Sequence, residues 1–366
     1  MKTVEIKPDI YWVGAIDWGV RDFHGYVTPN GTTYNNYLIM DEQITLVDTV
    51  KHDFSDDPAK IKNLVINHIE PDHASSIDKV MELAPDAMIY ITEKGKKGLD
   101  RSFDTSKWKF KIVKTGESLS IGKYNLLGQH LATTARFDDE FVECASHAEL
   151  DDAIVDYYAN ILMPFGKLIK NKIADIQKLG IEIDMIAPDH GIIWRSSPQK
   201  VIQDYLAMAN GRAALRVAII YDTMWHSTER MTIPLMQGIK DEGVDCKVIK
   251  LRATPMSAAI KEFWKSRGTL IGTPTLNNIM FPSVAEYLTH LRGLRPQNRI
   301  TGAFGSYGWG GGAVKEAYEE FKRMGLEVVE PGMQVLYRPS PEDETQCYNF
   351  AREFAKKVKE YHKKFD

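Results

Sequence analysis

The sequence predicts an α/β protein of two domains, the second a doubly wound parallel sheet, on three observations. From Arg216 onward, short apolar strands alternate regularly with helical segments, the pattern of successive βαβ units. Before about residue 205 the apolar runs are short and separated by turns and polar clusters. A chain of 366 residues is also longer than one ordinary hydrophobic core supports.

In the first half the apolar runs predict strands at 36–40, 44–50, 64–67 and 88–92. Ser146-His147-Ala148-Glu149 is a capping box, and apolar residues follow at helical spacing through Ile154, Tyr158 and Ile161, which predicts one long helix. Pro164 kinks or ends it. In the second half the strands fall at 217–221, 246–251, 269–272, 300–304 and 334–337, with helices near 229–241, 258–266, 284–294 and 313–324. A last helix opens on Ser340-Pro341-Glu342-Asp343: an N-cap, proline at the first helical position and acids in the first turn. The polar, glycine-containing stretch 208–213 marks the join, giving domains 1–210 and 211–366.

Composition narrows the function classes. A net charge of −4 offers no basic face for nucleic acid, and no apolar run is long enough to span a bilayer. The opening residues have no apolar stretch suited to a signal peptide. Cys144, Cys246 and Cys347 are three, widely spaced and without a CxxC pair, which speaks against a disulfide framework, a zinc ribbon or a rubredoxin-type centre. A cytoplasmic location follows.

The C-terminal ends of the strands in an open parallel sheet are where ligands bind, and three loops there carry chemistry. Thr223, Met224, Trp225, His226, Ser227 and Thr228 follow the first strand and feed into a helix. Hydroxyls and backbone N–H groups at a helix N-terminus suit a phosphate monoester. The loop lacks the glycines and lysine of a nucleoside-triphosphate site. Pro274, Thr275, Leu276, Asn277 and Asn278 follow the third strand; Ser306, Tyr307, Gly308, Trp309, Gly310 and Gly311 follow the fourth. Glycines let backbone approach a flat ring, and Tyr307 or Trp309 is placed to stack on it.

The densest signal is His68-Ile69-Glu70-Pro71-Asp72-His73, directly after an apolar strand. Four imidazole and carboxylate donors within six residues suit iron, manganese or zinc, and carboxylates can bridge two ions. His190, in Ala187-Pro188-Asp189-His190-Gly191, repeats the layout of strand, turn and histidine and is the candidate distant ligand. His24 has no local explanation and is a candidate proton donor beside the metal; His147 and His226 belong to their cap and loop.

The second half resembles flavodoxins, and more narrowly the flavodoxin domain of flavodiiron proteins, through Thr223-Met224-Trp225-His226-Ser227-Thr228. The first half resembles the metallo-β-lactamase-like domain of the same family. Matching stretches include Trp12 to Trp18, Gly31 to Asn35, Leu46 to Val50, the metal loop and Ala187 to Gly191. Glu70 stands where zinc hydrolases of that superfamily carry histidine, an exchange that is the flavodiiron signature. The resemblance implies a metallo-β-lactamase-like αββα domain followed by a flavodoxin-like doubly wound sheet. It implies FMN, with its phosphate on Thr223 to Thr228, and two non-haem irons. His68 and Glu70 would serve one iron, Asp72 and His190 the other, with His73 beside it. It further implies reduction of dioxygen to water or nitric oxide to nitrous oxide, electrons from a separate donor such as rubredoxin or a reduced deazaflavin, and a head-to-tail homodimer or a dimer of dimers.

Two departures from that pattern bear on activity. The family's His-Trp-Pro-Asp stretch and the bridging Asp before the Gly-Gln motif have no counterpart: residues 121–127 run straight into Gly128-Gln129-His130. Asn125 falls at the bridging position, and a neutral amide bridges poorly. Between Val50 and Leu64, with Pro58 in the way, there is no room for a crossover helix. Either the intact polypeptide carries further segments here or it is a deletion form. In the latter case an FMN electron carrier with an inactive metal half is the alternative; a metal-dependent hydrolase with a flavodoxin passenger is another.

Overall fold

The computed structural model describes residues 3–365 apart from 24, 29–30, 51–59, 115–116, 128–146 and 181. By its internal packing the chain divides into two compact units. The first comprises Met1–Phe23, Thr28–Ile154 and Lys172–Ile202; the second comprises His24–Val27, Val155–Asn171 and Gln203–Asp366.

The first unit is built on a seven-stranded mixed sheet. Val4–Lys7, Ile10–Trp12, Tyr37–Ile39 and Thr45–Val47 pair antiparallel in that order. Asn63–Val65, Met88–Ile91 and Lys109–Ile112 then extend the sheet in parallel. The last strand is an edge, and Lys109 and Lys111 mark it as a charged one that resists further pairing. The helices Ile77–Leu83 and Glu93–Ser102 cover one face: Ile77, Val80, Met81 and Leu99 pack against Leu46, Leu64, Ile89 and Ile91. Each such aliphatic side chain contributes roughly 1.5–3 kcal/mol on burial. Ile10, Trp12, Tyr37 and Ile39 form a separate cluster with Ile121 and Ile193. Shorter pairs, Ala15–Asp17 with Thr32–Tyr34 and Ser118–Ser120 with Asn125–Leu127, stand outside the main sheet.

Thr45–Val47 and Asn63–Val65 are parallel neighbours, so the chain does cross over where the sequence leaves no room for a helix; most of that crossover lies outside the described residues. The helix expected to run unbroken to Pro164 is instead His147–Tyr157, then a wide π turn at Tyr158–Leu162, then a tight 3-10 turn at Met163–Phe165. Ser146, its expected cap, lies outside the described residues.

The second unit is the doubly wound sheet. Asp245–Lys250, Ala214–Tyr221, Ser266–Gly272 and Ile300–Tyr307 lie side by side, all parallel. A split fifth strand, Glu327–Val328 and Met333–Leu336, pairs with the fourth. The spatial order second, first, third, fourth, fifth puts the switch point between Ala214–Tyr221 and Ser266–Gly272, where a crevice opens at the carboxyl ends. The helices Ser227–Asp241 and Pro341–His362 seal one face, with Met231, Leu235, Ile239, Phe354 and Val358 packed on Val217, Ile219 and Leu270. The Ser340–Asp343 capping box is present with both of its reciprocal bonds.

Candidate metal centre and flavin cradle

Pro71 decides the local shape of the metal loop. It takes the first position of a single helical turn, Pro71–Ala74, with Glu70 as its cap; a proline there loses no hydrogen bond. Asp72 and His73 thereby sit on the turn while His68 stays on the loop leaving the strand. Thr49 N–H donates to the His73 carbonyl at 3.1 Å and ties the turn to the neighbouring strand end. His190 arrives on the loop closed by the Ile186–Trp194 bridge. Gly191, at φ 78°, donates its N–H to Thr33 Oγ1 at 2.9 Å, and His190 Nδ1 meets the Thr33 carbonyl.

Four of the five expected ligands converge. His73 Nε2 lies 3.0 Å from His190 Nε2, and Asp72 Oδ2 lies 3.3 Å from His190 Nε2 and 3.5 Å from His73 Nε2. The His68 ring centre is 4.5 Å from that of His73, and His68, Asp72 and His73 can present one atom each within 4.8 Å of one another. Glu70 is more peripheral: its Oε2 is 3.6 Å from His68 Nε2, and its side chain is half exposed. His24, the expected proton donor, lies outside the described residues.

The electrostatics favour a cation. Burial, reinforced by the charge of His190, drives the His73 imidazole down to about 3, leaving it neutral with a lone pair to give. Burial pushes the Asp72 carboxyl up, but the His190 hydrogen bond and the nearby imidazoles outweigh it and hold the group at about 2. Asp72 Oδ2 lies between the Nε2 atoms of His190 and His73, at 3.3 and 3.5 Å, three donor atoms that would close on a single cation. Neutral imidazoles with carboxylates are the donor set of non-haem iron, and they fit it.

Two acids missed by sequence reasoning adjoin this cluster. Asp48 and Asp189 are both buried, and with His68 they form a second group of donors within 4.8 Å. Asn67 binds Asp48 twice, through its backbone N–H at 2.8 Å and its amide at 2.7 Å. Burial first, and then the charge of Asp189, push the Asp48 carboxyl well up. A lone Asp at a strand end carries no sequence signal, although Asp189 stands next to the expected ligand His190.

In the second unit, the phosphate loop leaves its strand at Asp222, which is fully buried. Arg252 Nε lies 2.9 Å from both Asp222 carboxylate oxygens, and Thr223 N–H donates to Oδ1 at 2.7 Å. His226 takes the left-handed conformation and starts the helix Ser227–Asp241. Thr223 Oγ1 is buried and lacks a hydrogen-bond partner among the described residues, as expected of a hydroxyl set for a phosphate. Thr228 Oγ1 and Ser306 Oγ are 3.1 Å apart and link the first loop to the third.

The second loop is a tight hairpin, Thr275–Leu276 with Ile279–Met280. Asn277 and Asn278 both have positive φ, the conformation two-residue hairpin turns demand. It backs directly onto the third loop: a Cβ on Gly312 would lie 2.1 Å from the Asn278 carbonyl oxygen. The loops thus form one glycine-lined wall that fits the approach of a flat ring. Trp309 is fully solvent-exposed on it, whereas Tyr307 is partly buried.

A parallel sheet in this order, with a hydroxyl-rich phosphate loop, defines a flavodoxin-type domain, and a histidine–carboxylate metal loop on a mixed sheet precedes it. The flavodoxin family model matches residues 219–350. A nitric oxide reductase of Moorella thermoacetica is 40% identical over 399 aligned positions, taking in 98% of this chain and 99% of the relative. A rubredoxin-oxygen oxidoreductase of Megalodesulfovibrio gigas is 34% identical over 98% of this chain and 99% of its own. Among solved structures, rubredoxin oxygen:oxidoreductase from the anaerobe Desulfovibrio gigas superposes with a TM-score of 0.90 at 33% identity, over 98% of this chain and 99% of that one. The flavodiiron protein from Giardia intestinalis also gives 0.90, at 28% identity, covering 100% and 98%. This chain belongs to the flavodiiron family of oxidoreductases, whose cofactors are FMN and a non-haem iron pair. The 399 aligned positions exceed the 366 residues of the chain, so the Moorella relative carries residues for which this chain has no counterpart.

Proposed function

We propose that this protein reduces dioxygen to water or nitric oxide to nitrous oxide, drawing electrons from a separate carrier, rubredoxin or a reduced deazaflavin, in the cytoplasm. The observation that carries the reading is the buried meeting of His73, His190 and Asp72, with His68 beside them, in a chain that also builds a flavin phosphate loop. On this reading residues 1–210 hold the metal and 211–366 the flavin.

When bound, the flavin supplies electrons singly or in pairs, and the iron pair supplies the place where a small oxidant binds. The chain's own residues do the rest. His68, Glu70, Asp72, His73 and His190 hold iron, with Asp72 kept ionised and His73 kept neutral by their surroundings. Thr223, Met224, Trp225, His226, Ser227 and Thr228 hold the phosphate by hydroxyls and helix-terminal N–H groups. Pro274, Thr275, Leu276, Asn277 and Asn278, together with Ser306, Tyr307, Gly308, Trp309, Gly310 and Gly311, form the wall against which the ring would lie. His24 is the proton donor of this reading. A head-to-tail homodimer would set the flavin of one subunit against the irons of the other.

The test is to purify the protein anaerobically, assay FMN and iron per chain, and follow dioxygen and nitric oxide consumption with reduced rubredoxin. Turnover of either gas, with both cofactors present, supports the proposal. One observation favours a second reading: the chain lacks counterparts for the family's additional His and bridging Asp. Full FMN, no iron and no turnover would make the protein an electron carrier. Bound zinc with esterase or lactamase turnover would make it a hydrolase.

A further inference from the structure

We propose that Asp189 is a positioning residue for the metal centre, holding the His68 imidazole through Nδ1 so that Nε2 is the atom offered to iron. The inference deepens the metal reading above and rests on it. His68 Nδ1 faces Asp189 Oδ2 at 3.6 Å, while Nε2, on the other side of the ring, faces Glu70 Oε2 at 3.6 Å. A neutral imidazole has one N–H and one lone pair, and the acceptor that engages the N–H decides which nitrogen can ligate.

Asp189 is itself held from several sides. Its side chain is 6% exposed, its Oδ1 receives the Asn67 amide at 3.4 Å, and its carbonyl accepts Asn35 N–H at 2.8 Å. The same Asn67 amide binds Asp48, so one side chain locks both acids. That engagement fixes both carboxylates beside His68.

The pairing also makes the histidines unequal. His190 Nδ1 meets a backbone carbonyl, that of Thr33, whereas His68 faces a carboxylate. A carboxylate acceptor makes an imidazole the more basic ligand. Iron held through His68 is therefore the more stabilised in its oxidised form.

The experiment compares full-length Asp189→Asn, Asp189→Glu and His68→Ala proteins with the wild type. Ferrous ion is titrated anaerobically against a chromophoric chelator, and midpoint potentials are read from an EPR-monitored redox titration. Asp189→Asn should weaken iron binding by about 10–100-fold and raise the midpoint potential, with FMN content and thermal midpoint unchanged; Asp189→Glu should recover part of both. Wild-type affinity and potential in Asp189→Asn, beside a defective His68→Ala, overturn the proposal alone. A wild type that takes up no ferrous ion overturns the metal reading and this proposal with it. Should Asp189→Asn not fold, Asn67→Ser loosens the carboxylate without removing it: a smaller shift of the same sign supports the proposal, and no shift overturns it.

Discussion

Glu229 stands in the first turn of the helix whose N-terminus would carry the flavin phosphate, a place where a second negative charge is unwelcome. Three neighbours manage it: His226 Nδ1 at 2.6 Å, Tyr221 Oη at 2.9 Å and Lys250 Nζ at 3.1 Å. The His226 hydrogen bond foremost, opposed by some burial and joined by Lys250 and Tyr221, lowers the carboxyl to about 2 from its usual 4.5. A depressed value means that the stabilisation is full above the unfolded pKa and drains away as pH falls toward the folded one. Wild type should therefore lose stability between about pH 4.5 and 2 more steeply than Glu229→Gln. The difference in urea midpoints across that window measures it. A third of the side chain is open to water, so solvent screening keeps the effect to roughly 1 kcal/mol or less. At this scale the metal loop could be found in the sequence because its donors crowd into six residues. Asp48 and Asp189 could not, since each is an ordinary acid until folding brings it to His68.

Among the elements, the last helix is the cleanest case of local chemistry setting a boundary. Ser340 Oγ accepts Asp343 N–H at 3.2 Å, and Asp343 Oδ2 accepts Ser340 N–H at 2.9 Å. Ser340→Ala should cost about 1 kcal/mol, read as a lower urea midpoint with FMN binding retained; no change would mean that Asp343 alone suffices. The helix after residue 146 went the other way. Its apolar spacing continues smoothly, yet the backbone widens at Tyr158–Leu162. There the Tyr158 ring meets Trp264 and Tyr205 edge-on, at 5.6 and 6.3 Å, and the Asn160 amide reaches the Ser257 carbonyl at 3.3 Å. Those partners are distant in sequence, so a 3.6-residue period cannot announce them. The hairpin at Asn277-Asn278 was likewise expected only as a loop; two asparagines at positive φ show its type once both flanking pairs are seen.

For the whole molecule, composition and activity depend on what the intact polypeptide contains. The mass of the purified, denatured chain tests this against the 41.5 kDa of the sequence. A value heavier by several kilodaltons would restore the family's missing His and Asp and strengthen the reductase reading, whereas a match would bring the electron-carrier reading forward. The proposed homodimer has its own consequence. Electron transfer falls steeply with distance, so specific activity should drop on dilution to monomers; activity per chain unchanged in a stable monomer would sink the dimer. No helix among the described residues is long and apolar enough to cross a membrane.

The sequence by itself determined the two architectures, the phosphate loop and the metal loop, because strand–helix alternation, a hydroxyl-rich turn and adjacent donors are all local patterns. Only the tertiary structure decided which donors meet. It brought His190 to His73 across more than a hundred residues, left Glu70 at the rim, and set the buried acids Asp48 and Asp189 beside His68. It likewise showed that the second and third flavin loops share one wall, because Gly312 has no side chain to hold the Asn278 carbonyl away. Each of these is a matter of through-space distance and desolvation, which spacing along a chain does not encode.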